Sequence, residues 1–79
     1  MQNFAVYSKD GCPYCSKVKQ VLDLSGLKYV EYKLGERFDR KSFYGQFGEG
    51  STFPQVVVDA TNIGGCTETV QYLKEKKLV

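Results

Sequence analysis

Apolar positions are compact and strand-like at 4–7 (Phe-Ala-Val-Tyr). They switch to helical spacing at Val18, Val21, Leu22 and Ser25, with Lys17, Lys19, Gln20 and Asp23 between them. This predicts a strand over residues 3–8, buried on both faces because its apolar residues run together. A helix then runs from Pro13 to near Ser25, with Gly26 free to take the left-handed position after its end. Residues 28–33 are rich in strand formers and predict a second strand, parallel to the first through a right-handed crossover. Asp39 is placed to cap a helix over 40–47, with Phe43 and Phe47 four apart and turned to the sheet. The stretch 48–51 reads as a flexible loop. Pro54 opens a third strand at 55–58, where the low base rate of X–Pro bonds leaves a cis Phe53–Pro54 bond open. Residues 59–62 read as a turn, Ile63 as the start of a short antiparallel fourth strand, and Gly64-Gly65 as a stretch of free backbone shape. Thr67 is expected to cap a last helix, with Val70 and Leu73 inward and Lys74, Lys76 and Lys77 near its negative end. The order β-α-β-α-β-β-α implies one α/β domain over 1–79, a four-stranded mixed sheet flanked by three helices.

The chain has 79 residues, 42% of them apolar and five Phe and six Tyr among them, which is enough for one small core without structural staples. A net charge of +2, with lysines scattered except at the C-terminus, argues against nucleic-acid binding. No apolar run reaches membrane-spanning length, and residues 1–3 lead into the first strand without a basic region and long apolar core. A cytoplasmic setting is therefore expected, where a C-x-x-C pair is more often catalytic or metal-binding than structural.

Cys12-Pro13-Tyr14-Cys15 falls where the first strand gives way to helix. Two cysteines at this spacing could form a metal knuckle, a structural disulfide or a redox pair, and their setting favours the third. Pro13 suits the first helical position, which makes Cys12 the N-cap. A thiolate there accepts first-turn N–H bonds and faces the positive helix end, so its pKa is expected below the free-thiol value, with Lys9 adding positive charge. Cys15 lies one turn on, within reach but less open to solvent. Cys12 thus reads as nucleophile and Cys15 as resolving thiol. An intrachain zinc site needs two further ligands, and the chain offers only Cys66 and no His. Cys66 itself reads as a small buried residue rather than a second reactive thiol.

Lys9-x-x-Cys12-Pro13-Tyr14-Cys15, Thr52-Phe53-Pro54 and Gly64-Gly65-Cys66-Thr67 together resemble the signature of the dithiol glutaredoxins, and the resemblance extends over nearly the whole chain. It implies the thioredoxin fold in its minimal form and glutathione-dependent reduction of protein disulfides and glutathione mixed disulfides. Glutathione would be the reducing co-substrate, with no permanently bound cofactor and no metal. The resemblance assigns a cis Pro54 facing the reactive cysteine and a Phe53 backbone pairing with glutathione. It also gives Gly65 and the N–H groups of Cys66 and Thr67 to the γ-glutamyl carboxylate, Lys9 and Tyr14 to the groove walls, and Gln46 to the glycine carboxylate beside Lys9. Partners would be glutathione and disulfide-containing or glutathionylated proteins, ribonucleotide reductase being a common client of such proteins, with the chain acting as a monomer. Phe53 stands where many members have Val, which puts a ring at the groove. Gly50-Ser51 replaces a stretch that often carries Arg, and Thr67-Glu68 replaces Asp-Asp. These departures lower the expected glutathione affinity. Two other readings stay open: a thioredoxin-like donor fed by thioredoxin reductase, and a glutathione-ligated iron–sulfur cluster carrier, although such carriers usually have C-G-F-S or Gly in place of Pro13.

Overall fold

A computed structural model describes residues 3–76 of the chain. The strands are β1 (Phe4–Ser8), β2 (Tyr29–Lys33), β3 (Gln55–Val58) and β4 (Thr61–Gly64). The helices are α1 (Pro13–Leu24), α2 (Arg40–Phe47) and α3 (Cys66–Glu75), so the expected element order is present. One mixed sheet runs β2-β1-β3-β4, with β1 parallel to β2 and antiparallel to β3, and β3 antiparallel to β4.

β1 is not buried equally on both faces. Phe4, Val6 and Ser8 are buried while Ala5 and Tyr7 are half-buried, because different layers cover the two sides of the sheet. On one side Phe4, Val6, Val56 and Val58 pack with Val18 and Leu22 of α1 and with Cys66 and Leu73 of α3 in a mainly aliphatic core, joined by partly buried Val70 and Tyr72. On the other, Tyr7 meets Tyr32, Phe38 and Phe47, their ring centroids 5.0–5.4 Å away. Phe43, 1% exposed, anchors α2 among these rings. The sheet thus separates a mainly aliphatic layer from one built on aromatic rings.

Local chemistry sets the helix ends. Pro13 opens α1, and Gly26 at φ +72° lets the Leu27 N–H turn back to the Leu22 carbonyl at 3.0 Å. Asp39 Oδ1 accepts from the Ser42 N–H at 2.8 Å and caps α2 as expected; that bond holds its carboxyl below the usual range. Lys19 of α1 and Ser8 both donate to Glu31 Oε2, at 2.7 and 2.6 Å, fixing α1 against β2 just ahead of the cysteine loop.

β1 and β2 each begin one residue later than expected, and two other boundaries differ by two residues. β4 begins at Thr61, not Ile63, because Asp59 and Ala60 alone make the turn with φ of 49° and 74°. A two-residue turn with both residues left-handed matches the twist of the flanking strands, whereas a four-residue turn would not be needed. Asn3 supports it, donating to Asp59 Oδ1 at 2.8 Å and accepting from the Asp59 N–H at 3.0 Å. The second difference is at α3, whose N-cap is Gly65 rather than Thr67. Glu68 Oε1 accepts from the Gly65 N–H at 2.7 Å and Thr69 Oγ1 donates to the Gly65 carbonyl at 2.8 Å, so the helix closes two residues earlier. Lys74 lies in the last turn of α3 and Lys76 at its C-cap, while Lys77 lies outside the described residues. Among the described residues no helix is long and apolar enough to cross a membrane.

Candidate functional site

Ser8 ends β1 at the middle of the sheet, and the chain turns through Gly11 at φ +71° to deliver Cys12 to the start of α1. Cys12 has the extended backbone of an N-cap, and its Sγ accepts from the Cys15 N–H at 3.1 Å. The two cysteines are joined as a disulfide, their Cα atoms 5.2 Å apart. Cys12 is 9% exposed and Cys15 1%, so Cys15 is the more buried residue of the two. Tyr14, between them, is 62% exposed.

The Phe53–Pro54 bond is cis, and Pro54 is buried immediately before β3. Gly65 lies against it: a Cβ there would come 3.2 Å from the Pro54 carbonyl oxygen, so the absent side chain is what lets the two segments meet. Gly64 takes φ +109°, and a Cβ there would come 2.8 Å from Glu68 Cγ. The first N–H groups of α3 have no acceptor within the helix, and those of Cys66 and Thr67 belong to this set.

These pieces enclose a cleft of about 160 Å³. Of the residues singled out in the sequence, Tyr14, Phe53, Pro54, Gly65, Cys66 and Thr67 line it together. Lys9, expected in the groove wall, lies outside this lining, with its Nζ 5.3 Å from the centroid of the Phe53 ring. Gln46 is not among the lining residues; its Nε2 reaches the Tyr7 hydroxyl at 3.5 Å, beside the aromatic layer.

The Phe53 ring is held by other rings. It stacks on Phe43 at 4.1 Å and 13°, with Phe38 at 6.1 Å, and so joins the aromatic layer while Phe53 still lines the cleft. Thr52 and Glu68 also line the cleft without having been singled out for it. Glu68 was legible in principle, as an acid three residues after a glycine at a helix start. Cys66 is buried, and burial pushes its thiol pKa up. Among the described residues no group of three or more Cys, Asp or Glu is arranged to hold a metal ion.

The family model described as glutaredoxin matches residues 4–63. Glutaredoxin 3 of Escherichia coli strain K12 is 35% identical over 69 residues, covering 86% of this chain and 82% of that protein. The crystal structure of glutaredoxin 1 from Francisella tularensis, complexed with cacodylate, superposes with a TM-score of 0.81 at 28% identity, over 99% of this chain and 98% of that one. A buckwheat glutaredoxin–glutathione complex superposes with a TM-score of 0.75 at 29% identity, over 98% of this chain and 73% of that one. The central strand, the cis proline and a C-x-x-C disulfide at a helix start thus coincide with a family match over most of the chain, which belongs to the glutaredoxin family of thiol–disulfide oxidoreductases.

Proposed function

We propose that this chain, as a single domain over 1–79 acting as a cytoplasmic monomer, uses glutathione to reduce protein disulfides and glutathione mixed disulfides. The observation that carries the reading is the cleft where Phe53-Pro54, Gly65 and the start of α3 meet Tyr14 of the cysteine loop. Glutathione bears two carboxylates, and the N–H groups at the start of α3 and a lysine held against the Phe53 ring are donors suited to them. The buckwheat relative, similar over nearly all of this chain, is known in complex with glutathione.

Reaction begins with the Cys12 thiolate, whose negative charge the Cys15 N–H and the α1 terminus are placed to stabilise. It attacks one sulfur of the substrate disulfide, forming a mixed disulfide and expelling a thiolate that takes up a proton. Cys15, as thiolate, attacks Cys12 Sγ; the second substrate thiol leaves and the Cys12–Cys15 disulfide forms. One glutathione thiolate then reopens that disulfide at Cys12, and a second removes the first as oxidised glutathione. With a glutathionylated substrate, Cys12 takes the glutathionyl group directly and Cys15 is not required.

A second reading, a thioredoxin-like donor reduced by thioredoxin reductase, draws support from Glu68. Its carboxylate already occupies the Gly65 N–H inside the cleft and would oppose an incoming carboxylate.

The deciding experiment is glutathione-dependent reduction of a small glutathione mixed disulfide by the wild type, Cys12→Ser and Cys15→Ser. The reading expects no activity in Cys12→Ser and retained activity in Cys15→Ser. A wild type inert with glutathione yet turned over by thioredoxin reductase would hand the assignment to the second reading.

A further inference from the structure

A groove of about 240 Å³ runs between α1 and α3 and adjoins the cleft around Pro54 at Tyr14, Cys66 and Thr67. Tyr14 and Lys17 of α1 form one wall, Val70 and Lys74 of α3 the other, with Cys66 between them. No acidic side chain lines it, and neither lysine is in an ion pair with a described residue. Thr67 and Gln71 form a ridge along α3 shared with a larger groove of about 400 Å³ toward β4. Across that ridge the charge reverses, because the second groove carries Glu68 and Glu75 and no lysine. Helix α3 therefore divides the surface into a basic side, which includes Tyr14 between the two cysteines, and an acidic side.

We propose that the α1–α3 groove docks an acidic segment of the protein substrate, flanking the disulfide that Cys12 attacks. The occupant follows from charge complementarity and from continuity with the redox site: Tyr14, Cys66 and Thr67 line both this groove and the cleft by Pro54. A substrate chain crossing Tyr14 would set its carboxylates against Lys17 and Lys74 and an apolar side chain against Val70. The proposal rests on the disulfide-reducing role given above but not on glutathione as the electron source.

The test uses single turnover of chemically reduced protein, freed of reductant, so that no glutathione enters. Two cyclic peptides of equal length, each closed by one cystine, carry either Asp and Glu or Lys on both flanks. Two electrons pass from Cys12 and Cys15 to the peptide cystine, which becomes a dithiol as the protein disulfide forms. The acidic peptide is expected to react roughly three- to tenfold faster than the basic one, the range that two exposed ion pairs supply. The ratio should fall toward one in Lys17→Gln/Lys74→Gln and in concentrated salt. Because both peptides meet the same thiols, their ratio cancels any change in Cys12 reactivity. Equal rates in the wild type, or a ratio unchanged in the double variant, would overturn the proposal. A wild-type dimer on sedimentation that the double variant abolishes would overturn it too, by assigning the groove to a second copy of the chain. Failure of glutathione as reductant would leave this result standing.

Discussion

Lys9 holds its ammonium 5.3 Å from the centroid of the Phe53 ring, whose neighbour on the other side is the buried ring of Phe43, 4.1 Å away. The stack ties a cation beside the redox loop to the hydrophobic layer under α2. A ring at position 53 thus positions Lys9 in addition to filling space.

Replacing that ring with Phe53→Leu removes both contacts. The lost ring stacking should cost about 0.5–1.5 kcal/mol beyond area burial, visible as a lower urea midpoint. Loss of the cation–π contact, worth about 0.5–1 kcal/mol at an exposed site, should raise KM for a glutathione mixed disulfide about two- to fivefold at steady kcat. An unchanged KM would show that Lys9 finds its place without the ring.

Acid stability should carry the signature of Glu31. Hydrogen bonds from Lys19 and Ser8 hold its carboxyl below its ordinary value of 4.5. A lowered folded-state pKa gives stability that is present above the unfolded value and is lost as pH falls through the folded one. The window therefore opens near pH 4.5 and extends downward. Lys19 and Glu31 are partly exposed, so the effect should stay under about 1 kcal/mol. Urea titrations between pH 3 and 7 should show a shallower acid limb for Glu31→Gln; parallel limbs would mean the pair adds nothing.

How much of this could be read in the chain depended on where the determining partner lay. Cys12, Pro13, Gly26 and Asp39 act on their immediate neighbours, so the start of α1, its left-handed exit and the cap of α2 were all legible. The start of α3 was ambiguous, because Thr67 is a good cap by composition and the competing Gly65-x-x-Glu68 pattern prevails only once the Glu68 carboxylate folds back on the Gly65 N–H. The reach of β4 depended on Asn3, distant in sequence, bracing Asp59. Within the site, the three motif segments predicted which backbones meet. The direction of the Phe53 ring came from Phe43, and the displacement of Gln46 from Tyr7, contacts that no local pattern encodes.

Ala60 sits at φ 74° in the second place of the β3–β4 turn. A non-glycine residue in that region costs roughly 1–2 kcal/mol, and Asp-Gly is a favoured pair for such a turn. After the added entropy of a glycine in the unfolded chain, Ala60→Gly should stabilise by about 0.5–1 kcal/mol. In a domain of this size that raises Tm by roughly 2–8 °C. A fall in Tm by calorimetry would contradict the turn geometry.

The opposite sign applies at Gly64. Its φ of +109° and the 2.8 Å approach of Glu68 Cγ leave no room for a methyl group. Gly64→Ala should destabilise by about 1–3 kcal/mol. The drop should appear as a shifted urea midpoint with an unchanged slope.

Cys66 should be the slow thiol. It is 7% exposed and burial raises its pKa above the ordinary 9.0, so at neutral pH it stays protonated. In reduced protein treated with limiting iodoacetamide, mass spectrometry should find label on Cys12 well before Cys66. Early label on Cys66 would show that the α1–α3 interface opens.

The sheet order leaves β2 and β4 with unpaired outer edges, and their side chains govern what can add there. On β2, Val30 is 54% exposed but sits beside Glu31, bound to Lys19, and near Lys33, paired with Asp10 at 3.0 Å. On β4 only four residues are available, and the pairing slips between Val56 and Val57, bending the rim away from a flat template. Charge on one rim and brevity on the other discourage foreign strands from annealing to the sheet. A thiol–disulfide oxidoreductase must release what it binds at sulfur, and edges that resist annealing keep backbone pairing from outlasting that bond.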